Sequence, residues 1–153
     1  MEYTDNFGLQ MPDSGATPVD ALNSHNANME ILDALPLPVE SGSNSQLGYQ
    51  KYSDGTMHVF GMVDYGTQYP CVNQIATASG FASAELTLNF PAGFLNGSYA
   101  LLVYVSADKN PDMTFATKSQ GSSSITGNFV CPLNDGAAPN SKKLNVDAWG
   151  RWK

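Results

Sequence analysis

Positive charge is scarce in this sequence. Seven Lys and Arg stand against 14 Asp and Glu, a formal net charge of -7. Nucleic-acid binding needs clustered basic side chains to neutralise phosphates, and only Lys142 and Lys143 adjoin, so nucleic acid is excluded as a partner. Charge of either sign is sparse: 14% of residues against roughly 25% in a typical globular protein. Surface polarity must come from Ser, Thr, Asn, Gln and Gly, a pattern common in extracellular β proteins and virion proteins. No run approaches the roughly 20 apolar residues of a membrane helix. The longest, Tyr99 to Val105, has strand length, and membrane insertion is not expected. The opening Met1-Glu2-Tyr3-Thr4-Asp5 is acidic and no apolar run follows it, which implies synthesis in the cytoplasm without a signal peptide.

Cysteine and histidine are rare too. Cys71 and Cys131 cannot make a disulfide framework. They read as two half-buried free thiols or as one bridge closing a long loop. A zinc site wants four ligands, and neither His25 nor His58 has partners at ligand spacing, so no metal and no cofactor are expected. Nucleophile-elbow, His-Glu-x-x-His and phosphate-loop motifs are absent. Asp64, Asp108, Asp112 and Asp147 could supply a glycosidase pair, but any acidic β protein offers as many carboxylates. The expectation is a protein that is not an enzyme.

What is present begins with an irregular segment, residues 1–16, punctuated by Asn, Gly, Pro, Asp and Ser. Thr17 can cap a helix whose first position is Pro18. That helix, residues 17–35, must stop before Pro36 and Pro38. Val19, Leu22, Asn26 and Met29 follow 3-4-3 spacing on an unusually polar helix. Short isolated helices are marginal in water. The stripe suits side-by-side copies with Asn26 fixing register, or else packing on the head; an oligomeric stem is the reading adopted. Residues 36–46 are Pro-rich, then Ser/Gly-rich, and read as a linker.

From residue 47 the chain reads as β. Gly48 to Tyr52 and Met57 to Tyr65 flank Ser53-Asp54-Gly55-Thr56, a hairpin signal. Met57, Val59 and Val63 face one way, Phe60 and Met62 the other. An apolar residue on both faces implies a strand covered twice, by the core and by a neighbouring subunit, so Phe60 and Met62 join Val19, Leu22, Asn26 and Met29 as expected interface residues between copies. Ala84 to Phe90 alternates with Ala84, Leu86, Leu88 and Phe90 inward. Further strands are expected at Tyr99 to Ser106, Met113 to Lys118, Ile125 to Cys131 and Leu144 to Trp152. About seven antiparallel strands with regular turns make a β-sandwich head over residues 47–153.

Sugars stack on aromatic faces and hydrogen-bond to Asp, Asn and Gln. Two segments offer both: Tyr65, Gln68 and Tyr69 in one, Asp108, Asn110 and Asp112 in the other. These are the candidate sugar-binding residues. Tyr104, Trp149 and Trp152 are further aromatics, although packing in a core or between subunits is the commoner role for any one of them.

The head resembles the C-terminal domain of many tailed-phage tail-fibre proteins. The resemblance rests on a Gly48-Tyr49-Gln50-Lys51-Tyr52-Ser53-Asp54-Gly55-Thr56 hairpin, then Phe60-Gly61 where such domains carry Trp-Gly. It continues in Phe90-Pro91-Ala92-Gly93-Phe94, the apolar strand from Tyr99, and a closing Ala148-Trp149-Gly150-Arg151-Trp152. Tyr3-Thr4-Asp5-Asn6-Phe7-Gly8-Leu9, followed by Asn23 and Asn26, is similar to baseplate and fibre attachment regions. The resemblance implies a homotrimer in the virion tail that contacts other tail or baseplate proteins and binds a bacterial surface receptor, a polysaccharide. It carries over no catalytic residue. A virion structural or decoration protein, or a secreted carbohydrate-binding module, are the alternatives.

Overall fold

The computed structural model describes residues 2–3, 10–11, 25–30, 35–75, 80–109 and 112–153. The chain divides into two units, Met1–Leu37 and Pro38–Lys153.

In the first unit, β1 (Glu2–Tyr3) and β2 (Gln10–Met11) pair antiparallel, Glu2 opposite Met11. The segment expected to be irregular thus carries a short ladder. Helix α1 spans residues 25–30, inside the expected helix. Val19 and Leu22 lie outside the described residues. Asn26 and Met29 are exposed on α1.

The second unit is a mainly β, antiparallel sandwich. One sheet has the order β3 (Pro38–Ser43), β4 (Leu47–Tyr52), β5 (Thr56–Gly66), β12 (Lys142–Arg151), β9 (Ala100–Ala107). The other is built on β11 (Ser124–Cys131), paired with β10 (Thr114–Gln120) on one side and with β8 (Leu86–Asn89) and β7 (Phe81–Ala82) on the other; β6 (Asn73–Gln74) extends β7. Period-two alternation puts Met57, Val59, Val63, Leu144 and Val146 of the first sheet and Leu86, Leu88, Ile125 and Phe129 of the second into one buried cluster.

Three expectations need correction. Residues 36–46 are not simply a linker: six of them form β3, paired with β4 from Pro38 opposite Tyr52 to Ser43 opposite Gly48. Among the described residues of this unit the strands number ten rather than seven, because β3, β6 and β7 form where pairing with a neighbour overrides weak local preference. Ala84 is exposed rather than inward. The strand begins at Leu86, and Ser83 is the buried residue, its hydroxyl accepting from Phe129 N–H at 3.0 Å.

The residues that carry the resemblance turn out to be structural. Gly55 closes the β4–β5 turn at φ +89°, a left-handed conformation that suits glycine, and Asp54 Oδ1 accepts from Thr56 N–H at 2.8 Å. Tyr49 Oη and Lys51 Nζ both donate to Glu40 Oε1, at 2.7 and 2.9 Å. The Lys51 ammonium also sits over the Trp152 ring, 5.0 Å from its centroid. Trp152 in turn donates from Nε1 to Tyr52 C=O at 3.2 Å and from its backbone to Gly55 C=O. The first hairpin and the last residues therefore fasten to each other. Phe90 and Phe94 are both buried, packed edge to face, and Phe94 stacks on Tyr99 at 4.2 Å.

Candidate functional site

Register places the end of β5, the start of β12 and the end of β9 side by side: Gly66 lies opposite Lys142, and Lys142 opposite Ala107. The loops that adjoin these ends, residues 67–72, 108–109, 112–113 and 132–141, therefore gather at one end of the first sheet. The described residues of both candidate receptor segments belong to this region.

Within it, side chains differ in burial. Tyr65 is half-buried, edge-on to Tyr69 at 5.6 Å and to Phe129 at 5.6 Å. Burial, with Tyr69 beside it, pushes its phenol up to about 12. Tyr69 is half-buried as well and holds φ +59°, a left-handed backbone uncommon outside glycine. Gln68 and Asp112 are exposed. Asp108 is exposed too; its carboxylate accepts from Ser141 N–H at 2.9 Å and its own N–H donates to Ser141 C=O at 3.2 Å. It ties the second loop to the third. Asn110 lies outside the described residues.

Beneath the loops is a buried polar knot. Lys142 is fully buried, and its Nζ lies 3.3 Å from Asp135 Oδ2 and donates to Asn140 C=O at 2.9 Å. Asp135 Oδ1 accepts from Cys71 N–H, and Oδ2 accepts from Asn140 Nδ2 at 3.1 Å. Burial raises the Asp135 carboxyl, but the bonds from Asn140 and Cys71 and the Lys142 charge outweigh it and hold the group below the ordinary carboxylate range. Cys71 and Cys131 are free and fully buried, not half-buried.

The second surface is the outer face of the first sheet. Cross-strand register sets Asp147 beside both Phe60 and Leu102, and Asn145 beside both Met62 and Tyr104. Their exposures are 42% for Phe60, 47% for Met62, 61% for Leu102, 56% for Tyr104 and 44% for Trp149. Tyr52, Trp149, His58 and Phe60 run as a ladder of rings across it, with centroid separations of 6.0, 4.0 and 4.7 Å in turn. His58 Nε2 and Asp147 Oδ1 are 2.9 Å apart in the middle of this ladder. Phe60 and Met62 are thus where the alternation puts them, pointing away from the core.

No protein-family model matches the chain, and no curated protein matches it closely. Solved structures similar to it include a C-terminal portion of the P. aeruginosa R1 pyocin fibre, 17% identical with a TM-score of 0.48 over 94% of this chain and 33% of that one. An N-truncated R1-type pyocin tail fibre is 17% identical with a TM-score of 0.49, over 82% of this chain and 94% of that one. A C-terminal portion of the P. aeruginosa R2 pyocin fibre is 13% identical with a TM-score of 0.46, over 94% and 31%. The chain therefore spans 33% of the length of the first of these.

Sequence reasoning missed Leu102, His58 and Asp147 as members of the outer face. A signal existed: Leu102 and Tyr104 share a parity opposite to Leu101, Val103 and Val105 along β9. A strand apolar at both parities hides it, because either face can then be taken as the core side. Among the described residues no helix is long and apolar enough to cross a membrane.

Proposed function

We propose that this chain is a tail-fibre receptor-binding protein of a tailed phage, not an enzyme, that attaches the virion to a bacterial surface saccharide as a homotrimer. The observation that supports this reading best is the outer face of the first sheet. Phe60, Met62, Leu102, Tyr104 and Trp149 lie together there, each more than two-fifths exposed. Contiguous apolar patches of this kind mark interaction surfaces, and identical copies meeting through it would cover the strand that is greasy on both sides. The α1 stem, with Asn26 and Met29 on its surface, would add a second contact between copies. The loop cluster at residues 67–72, 108–109, 112–113 and 132–141 would then be repeated around the assembly, and several weak saccharide contacts would act together. Gln68, Asp108, Asn110, Asp112 and the edges of Tyr65 and Tyr69 are the groups assigned to the receptor.

Light scattering together with binding to intact bacterial cells tests this. The expected result is a mass three times that of the chain and cell binding competed by surface polysaccharide. A trimer that binds no cells is a structural or decoration protein of the virion instead. A monomer with sugar affinity is a carbohydrate-binding module, and both the trimer and the fibre reading fall.

A further inference from the structure

The two cysteines stand 60 positions apart, at residues 71 and 131, yet the fold brings them together. Cys71 Sγ, Cys131 Sγ and a carboxylate oxygen of Asp135 all lie within 4.8 Å of one another, and all three residues are buried. Cys71 belongs to the loop after β5, and Cys131 ends β11. Cys71 Sγ donates to Phe129 C=O at 3.6 Å, and Cys131 Sγ donates to Leu133 C=O at 3.0 Å. The Asp135 carboxylate is already taken by Cys71 N–H, Asn140 and Lys142, so it is a poor candidate for a metal ligand. A buried ammonium beside it already supplies the cation that site would need.

We propose that Cys71 and Cys131 are an oxidative modification site, closing to a disulfide that locks the loop cluster once the protein meets a low-molecular-weight disulfide. The chemistry is thiol–disulfide exchange. One cysteine thiolate attacks a sulfur of oxidised glutathione, and one glutathione leaves with the electron pair and takes up a proton. The second cysteine attacks the mixed disulfide, the Cys71–Cys131 bond forms, and the other glutathione leaves likewise. Two protein thiols are oxidised and one glutathione disulfide is reduced. The cross-link fastens the loop after β5 to the strand beneath it, and so holds Gln68 and Tyr69 relative to residues 132–141.

Burial, together with the Cys131 thiol alongside and the Asp135 charge, holds the Cys71 thiol well above the ordinary range, with Lys142 opposing. The nucleophile is the thiolate, so exchange is slow while the loops stay closed and speeds up when they open. This separates the pair from an exposed redox sensor and makes the bond a slow, durable staple.

The test is incubation of the full chain with oxidised glutathione, in buffer and in urea below the unfolding transition, followed by mass spectrometry and thermal melting. The expected product has lost the mass of two hydrogens, yields a peptide joining residues 71 and 131, and forms faster in the sub-denaturing urea. Closing a loop of roughly 60 residues should raise Tm by about 10 °C over the reduced protein, and dithiothreitol should reverse the rise. The Cys71→Ser and Cys131→Ser variants should gain no such rise. Both thiols still titratable after incubation in urea, or two stable glutathione adducts with no cross-link, would overturn the proposal. So would thiols that become reactive only after a chelator, which would give the pair to a metal. None of these results depends on whether the chain binds cells.

Discussion

The imidazole of His58 lies flat against the indole of Trp149, centroids 4.0 Å apart and planes 10° from parallel, on the side of the sheet away from the core. The pair is set by the register that places Trp149 opposite His58 across β5 and β12. Asp147, two residues along β12, meets the Nε2 edge of the same imidazole at 2.9 Å. A stacked, hydrogen-bonded ladder is an ordered surface, and order lowers the cost of binding to it.

A charge placed in that surface should therefore act on association before it acts on folding. Phe60→Asp removes a side chain that is 42% exposed in the single chain, so folding stability should fall by no more than about 1 kcal/mol. Burying an unpaired carboxylate between copies costs several times more. Sedimentation should show the assembly dissociating at concentrations at least tenfold higher than for the parent chain. An unchanged mass with a lowered melting temperature would remove the outer face from the assembly.

The buried ion pair gives a sharper stability test. Asp135→Asn leaves the Lys142 ammonium in a fully buried position without its carboxylate. The expected loss is about 3–5 kcal/mol by urea unfolding. Adding Lys142→Met to that variant should restore most of it, because an apolar side chain needs no counter-charge. A double variant as unstable as the single one would show that the hydrogen bonds to Cys71 and Asn140 matter more than the charge.

Gly150 reports on close packing between the last strand and the aromatic cluster. A Cβ there would stand 2.6 Å from Tyr99 Cβ and 2.8 Å from Phe94 Cδ1. Gly150→Ala should cost about 1–3 kcal/mol, the usual range for overpacking, with the near-ultraviolet signal of the stacked Phe94 and Tyr99 rings altered. Wild-type stability in this variant would mean that the ring stack can shift without cost.

Alkali should unfold the head through its tyrosines. Burial holds both Tyr65 and Tyr99 up at about 12, against about 10 in an unfolded chain. The folded state thus favours the neutral phenols. Their contribution is fully present below pH 10 or so, and it is lost as pH rises from there through the folded values. Tyr99 Oη is also buried without a hydrogen-bond partner. Tyr99→Phe should be neutral or stabilising by about 1 kcal/mol and should flatten the alkaline decline measured by urea unfolding between pH 9 and pH 11. A steeper decline in that variant would contradict the assignment.

Much of the core was legible because strict alternation identifies an inward face without reference to anything else: Leu86 and Leu88, Met57 and Val59, Ile125 and Phe129 all fall where the pattern puts them. The hairpin at Asp54-Gly55 was legible for a local reason as well, since its turn needs a left-handed residue. The strand β3 was not, because Pro38-Val39-Glu40-Ser41-Gly42-Ser43 has no alternation and pairs only because β4 offers it a free edge. The loop cluster was half legible: its segments were chosen for composition, but composition does not reveal that Tyr65 turns edge-on to Phe129 or that Asp108 is spent on Ser141.

Sequence alone thus determined the class of fold, the hairpin, the apolar strands and the outward direction of Phe60 and Met62, because each depends on the period-two geometry of a strand or on the φ of one residue. Tertiary structure alone decided that Leu102, Tyr104, Trp149 and His58 share a face with them, that Lys142 is buried against Asp135, and that Cys71 meets Cys131. Those facts depend on which strands lie side by side and in what register. That choice is made by long-range packing between residues far apart in the chain, whose pairing no local pattern encodes.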